Sequence, residues 1–142
     1  MLMKLKKVLV GGCFDILHYG HIHFLKKASS LGTHLVVALE SDSSIKRLKG
    51  ASRPIHSQVR RKEMLESLSF VDEVIILKNR MRDGDYRKLV TSLKPQIIAV
   101  TKGDPVMAKK KAHADTVGAK IVEIPKIRVA STSRIAKLLG LD

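Results

Sequence analysis

Cysteine occurs once in these 142 residues, at Cys13, so no internal disulfide can staple the chain. Tryptophan is absent, and two tyrosines and three phenylalanines make up the whole aromatic set. So few rings offer little stacking surface to single-stranded nucleic acid, and no nucleic-acid-binding motif occurs. No apolar run approaches the roughly 20 residues of a membrane span. The opening MLMKLKK leads straight into a strand pattern rather than a secretory leader, so the expected setting is the cytoplasm, away from membranes. Acidic residues are also scarce: 13 Asp and Glu against 27 Lys and Arg leave a net charge of +14. Such basicity favours anionic partners, whether nucleotides, nucleic acids or acidic lipid. A basic nucleic-acid-binding module is thus the competing reading, and the missing aromatics argue against it.

The remaining composition is that of one ordinary globular domain, expected to span residues 1–142, with 44% hydrophobic residues and a mean hydropathy near zero. Apolar runs bounded by turn residues recur at Val8–Val10, Leu35–Leu39, Val74–Leu77, Ile97–Val100 and Ile121–Ile124. Their continuous character predicts strands buried on both faces, as in a parallel sheet. Helical patterns lie between them, at about 20–31, 42–49, 57–68, 84–93, 105–117 and 131–139. The alternation predicts an α/β fold, a five-stranded parallel sheet with helices on both faces. Lys78–Asp85 is the loosest loop by composition.

Chemistry concentrates where the first strand hands over to the first helix, in Gly11-Gly12-Cys13-Phe14-Asp15-Ile16-Leu17-His18-Tyr19-Gly20-His21. Unpaired N–H groups and the positive end of a helix dipole make such a junction an anion site. His18 and His21 are spaced so that both imidazoles can address one anion, and Gly20 removes a Cβ from the approach. Cys13 has two readings, a thiol made reactive by the helix terminus or a small residue lining the turn, and the second is favoured. His18, His21 and His23 would also suit zinc, but only Asp15 lies close in sequence as a further ligand. Ligands of open α/β sheets bind beyond the carboxyl ends of strands. Glu40–Asp42, Thr101–Asp104 and Ser131–Ser133 would converge there with the first turn. Lys46 and Lys49 share a helix face that ends at a Gly50 cap, Arg61 is a further phosphate candidate, and Lys109–Lys111 reads as a solvated helix surface.

The His18-x-Gly20-His21 motif resembles that of the cytidylyltransferase-like nucleotidyltransferases. Ser41-Asp42, Lys46–Gly50, Arg53-Pro54-Ile55, Arg61, Val71-Asp72, Lys102-Gly103-Asp104 and Ser131-Thr132-Ser133 follow in that family's order, over roughly residues 7–138. The resemblance implies a Rossmann-like fold and transfer of a nucleoside monophosphate to a phosphomonoester, with release of pyrophosphate. It implies that His18, His21 and Lys46 act on the transferring phosphate. Gly12, Cys13, Phe14, Asp15, Gly20, Lys49, Arg61, Asp104, Arg128, Ser131, Thr132 and Ser133 would bind nucleotide. No metal ligands from the protein are implied; Mg²⁺ would arrive bound through the triphosphate. Two departures stand out: Lys126-Ile127-Arg128-Val129-Ala130 lacks the glycine usual before the Ser-Thr, and Pro105 follows Asp104.

Within the superfamily, residues 11–61 resemble the adenylyltransferase domain of ADP-heptose synthase, notably in SDSSIKRLKGASRPI. A comparable likeness joins GGCFDILH, KRLKG, RRKEML and VDEVI to archaeal FAD synthases, which are FMN adenylyltransferases. Both imply ATP as donor. FMN is the acceptor expected from the small size and basicity of the chain, with a sugar 1-phosphate or, as in glycerol-3-phosphate cytidylyltransferase, glycerol 3-phosphate as alternatives. Related enzymes are often dimers, so a homodimer is part of the same expectation.

Overall fold

The computed structural model describes residues 4–128 and 132–140. Five strands, β1 (Lys7–Gly12), β2 (His34–Leu39), β3 (Glu73–Ile76), β4 (Ile97–Thr101) and β5 (Lys120–Ile124), alternate with helices. The helices are α1 (Tyr19–Ser29), α2 (Asp42–Lys49), α3 (Gln58–Glu66), α4 (Asp83–Leu93), α5 (Met107–Thr116) and α6 (Thr132–Leu138). The sheet is parallel throughout in the order β3-β2-β1-β4-β5.

The unbroken apolar strands follow from this layering. Val8 and Val10 of β1 pack with Leu25 and Ala28 of α1 on one face, while Leu9 joins Val90 of α4 and Ala114 of α5 on the other. Successive side chains of a strand point to opposite faces, so a strand covered on both sides needs apolar residues at every position.

Strand register places the site. β1 pairs with β2 along its whole length, from Lys7↔His34 to Gly12↔Leu39. Its pairing with β4 covers only Val8↔Ile97 and Leu9↔Ile98. Beyond those residues β1 and β4 part, opening a crevice at their carboxyl ends, where the chain order reverses about β1. Helix α5 begins later than its pattern predicts, because the Asp104 carboxylate accepts the Val106 N–H at 2.8 Å and holds a turn ahead of the helix.

Candidate active site

Two clefts open from this crevice. One, of about 500 Å³, lies on the α1 side, and the other, of about 430 Å³, lies on the α4–α5 side. Gly11, Gly12, Cys13, Ala99 and Lys110 line both. Gly12 has no room for a side chain: a Cβ there would sit 2.8 Å from the Phe14 ring. Phe14 itself takes a positive φ of 46°, turning its ring edge-on to His21 with centroids 5.3 Å apart.

His18 and His21 cap α1 reciprocally. The Gly20 N–H donates to His18 Nδ1 at 3.0 Å, and the His18 N–H donates to His21 Nδ1 at 3.4 Å. With both Nδ1 atoms accepting, each neutral ring carries its proton on Nε2. The rings stack with centroids 3.9 Å apart and line the α1-side cleft with Gly20, His23 and Phe24. Burial, reinforced by the neighbouring His18, pushes His21 down to about 4, against a smaller opposing effect of its hydrogen bond to the Ile16 backbone. Burial lowers His18 as well. Both are therefore neutral at pH 7.

The shift has a consequence for stability. Between pH 6.5 and 4 the unfolded chain binds a proton at His21 that the folded chain refuses, so stability falls as pH falls through that window. The expected loss from pH 7 to 4.5 is about 2–3 kcal/mol, read from urea midpoints, and His21→Gln should flatten the slope. An equal slope in wild type and variant would assign the pH dependence elsewhere.

Charge in the α1-side cleft is predominantly positive. Lys49, the last residue of α2, and Lys126, just after β5, reach its lining, and its two carboxylates are already engaged. Asp15 is 1% exposed; it accepts Arg53 Nε at 2.8 Å, His56 N at 3.0 Å and Ile55 N at 2.9 Å. Burial pushes its carboxyl up, but the His56 and Ile55 N–H groups and Arg53 outweigh this and hold it below the usual range. Asp104 is likewise lowered: Lys110, the Val106 N–H and Lys126 outweigh its burial.

Of the residues expected at the site, Gly12, Cys13, Phe14, Asp15, His18, Gly20, His21, Lys49 and Asp104 line this cleft. Asp15 is nevertheless a brace for residues 53–56, its oxygens filled by Arg53 and two backbone donors. The Cys13 thiol is pushed up, by burial and then by Glu40, which favours the reading of a small residue lining the turn. Lys46 is a correction: it is exposed and outside the lining, because only the carboxyl end of α2 meets the cleft and Lys46 sits a turn back.

Arg61 is a larger correction. It is fully buried and donates to the carbonyls of Cys13 (2.8 Å), Glu40 (2.9 Å) and His56 (3.0 Å) and to Asp42 (2.8 Å). A guanidinium spent on the ends of β1 and β2 cannot turn to a phosphate. Arg128 is exposed and outside the lining, and Lys126 occupies that place instead. Ser131 lies outside the described residues, and Thr132 and Ser133 are described only as backbone of α6.

The second cleft went unanticipated. Its floor is apolar, with Leu9, Leu89, Val90 and Ile98. Two polar pairs punctuate it: Tyr86 Oη donates to Glu40 Oε1 at 2.8 Å, and His113 Nε2 meets Asp83 Oδ1 at 2.9 Å. Burial and then the Glu40 carboxylate raise the Tyr86 hydroxyl well above its ordinary range. No local spacing signals these pairs, which join residues 46 and 30 apart in sequence.

A family profile described as cytidylyltransferase-like matches residues 9–135. This chain belongs to the cytidylyltransferase-like family, a family of nucleotidyltransferases. It is 43% identical over 130 residues to "Bifunctional protein HldE" of Campylobacter jejuni subsp. jejuni serotype O:6, covering 92% of this chain and 27% of that protein. The protein of the same name from Coxiella burnetii strain Dugway is 38% identical over 133 residues, with the same coverage. The chain therefore spans about a quarter of the length of these relatives. Among solved structures, a lipopolysaccharide core biosynthesis protein from Thermoplasma volcanium superposes with a TM-score of 0.74 at 33% identity, over 88% of this chain and 100% of that one. A pantoate-beta-alanine ligase from Francisella tularensis shares the fold, with a TM-score of 0.66 at 17% identity, over 96% of this chain and 67% of that one.

Proposed function

We propose that this chain transfers AMP from ATP to a sugar 1-phosphate of the heptose type, releasing pyrophosphate. The observation that carries the reading is the stacked His18–His21 pair, presented at a helix N-terminus to a cleft lined by Lys49 and Lys126. Such a site can hold a triphosphate and stabilise the charge that develops as an acceptor oxygen attacks the α-phosphorus in line. His18, and His21 once its contact with the Ile16 backbone is exchanged for the phosphate, offer N–H donors to that charge, Lys49 and Lys126 neutralise phosphate oxygens, and Gly12 and Gly20 keep the backbone accessible. The second cleft meets the first at Gly11–Cys13, where an acceptor lying in it would face the α-phosphorus. Positioning of this kind supplies much of the acceleration in such reactions.

The acceptor assignment departs from the FMN expected on sequence. The similar proteins above, HldE and a lipopolysaccharide core biosynthesis protein, support the sugar-phosphate alternative instead. The second cleft also presents a single aromatic ring, Tyr86, to set against a flavin. Its Glu40–Tyr86 and Asp83–His113 pairs suit sugar hydroxyls.

Among the described residues, no three His, Cys, Asp or Glu side chains converge on a metal position. Asp15 and Asp104 are engaged by Arg53 and Lys110. Mg²⁺ is accordingly proposed to enter on the triphosphate oxygens, whose charge it neutralises when bound.

A pyrophosphate-release screen tests the reading by crossing ATP and CTP with heptose 1-phosphate, FMN, glycerol 3-phosphate and phosphopantetheine. Release is expected with ATP and heptose 1-phosphate, and excess chelator should abolish it. Preference for another pair would overturn the acceptor or donor assignment. Salt-sensitive RNA binding without any turnover would replace the enzyme reading altogether.

A further inference from the structure

We infer that Lys110 binds the phosphate of the acceptor where the two clefts join, an assignment that rests on the two-cleft reading above. Among the described residues, it is the one charged side chain that lines both clefts. The second cleft carries two carboxylates, Glu40 and Asp83. A phosphomonoester entering it is repelled unless a cation stands at its inner end, next to the attacked phosphorus. The other lysine in that cleft, Lys109, is exposed and does not reach the first one.

Lys110 is also held in a transferable way. Its Nζ lies 2.5 Å from Asp104 Oδ2, with the lysine side chain 30% exposed and the aspartate 13%. Asp104 Oδ1 separately accepts the Val106 N–H, so the carboxylate keeps a partner when the lysine leaves. A phosphomonoester near neutral pH carries close to two negative charges and three acceptor oxygens, against one charge on Asp104. The ammonium can move to it by rotating a flexible stem. Asp104 then acts as the cradle that keeps Lys110 at the junction, rather than as a reader of the nucleoside.

A purely structural role predicts something different: Lys110 would tie the start of α5 to Asp104, and its loss would lower stability without selecting between substrates. Calorimetric titration of wild type, Lys110→Met, Lys110→Arg and, as an exposed control paired with Asp115, Lys111→Met separates the two. Each is titrated with Mg²⁺–ATP, with heptose 1-phosphate and with inorganic phosphate.

Lys110→Met should weaken heptose 1-phosphate and inorganic phosphate roughly 10- to 100-fold, the size of one charge-assisted hydrogen bond, and leave Mg²⁺–ATP within about threefold. Lys110→Arg should recover most of the loss, and Lys111→Met should match wild type. Wild-type affinity for both phosphates in Lys110→Met, or an equal loss for ATP, overturns the assignment. A wild type that binds inorganic phosphate in a Lys110-dependent manner, yet ignores heptose 1-phosphate, overturns the acceptor named above and leaves Lys110 in place. A wild type that binds neither phosphate removes both.

Discussion

Replacing His21 with alanine should lower kcat for pyrophosphate release roughly 10²–10³-fold while the protein still folds, as for loss of one donor to a transition-state charge. The ring does two jobs in the structure. It lines the α1-side cleft, and its Nδ1 accepts the His18 N–H at 3.4 Å, fixing the ring stacked 3.9 Å away. Losing the cap costs about 1 kcal/mol, a modest share of the 5–15 kcal/mol typical of a domain. The activity loss should therefore far exceed the change in melting temperature. Steady-state kinetics beside a thermal melt decides it: full activity in the variant rejects the role, and an unfolded variant shifts the role to packing.

Replacing Arg61 with methionine should act in the opposite sense, costing about 3–5 kcal/mol of stability, the penalty for dismantling a buried charge network. The guanidinium has no exposed surface and distributes its N–H groups over three carbonyls and Asp42. Without it, the carbonyls of Cys13 and Glu40, at the ends of β1 and β2, lose their donor. Lysine should not rescue, because one ammonium cannot span acceptors spread around a planar fork. Urea unfolding gives the readout. A variant that keeps its midpoint but raises KM for ATP would return Arg61 to phosphate binding.

These two residues illustrate what was legible in advance and what was not. His18 and His21 declare themselves because their relation is local: three positions apart across a helix start, they meet whatever the rest of the chain does. Gly50 as the terminator of α2 is legible for the same reason, and it takes a φ of 113° there; the structure adds Ser41 as the cap at the other end, its Oγ accepting the Ser44 N–H at 3.1 Å. Arg61 gave no such sign. As one of three basic residues in Arg60-Arg61-Lys62, it looks equally suited to solvent, phosphate or carbonyls. The partners that decide the matter are 48 and 21 residues away.

Lys110 reverses the lesson. Within the run Lys109–Lys111, composition suggests a solvated face, yet Lys110 turns to Asp104 and both clefts while Lys111 pairs outward with Asp115. Neighbours on a helix differ by about 100° in direction, so one basic run can serve solvent and site together.

Sequence alone thus determined the alternation of strands and helices, the parallel sheet and the histidine-bearing turn after β1, since each rests on periodicity or on contacts within one helical turn. Tertiary structure decided which charges are spent internally, where β1 and β4 part, and that a second cleft opens on the far face. The physical reason is distance along the chain. A charged side chain takes whichever partner folding brings within about 3 Å, and for Asp15, Arg61 and Glu40 that partner lies tens of residues away.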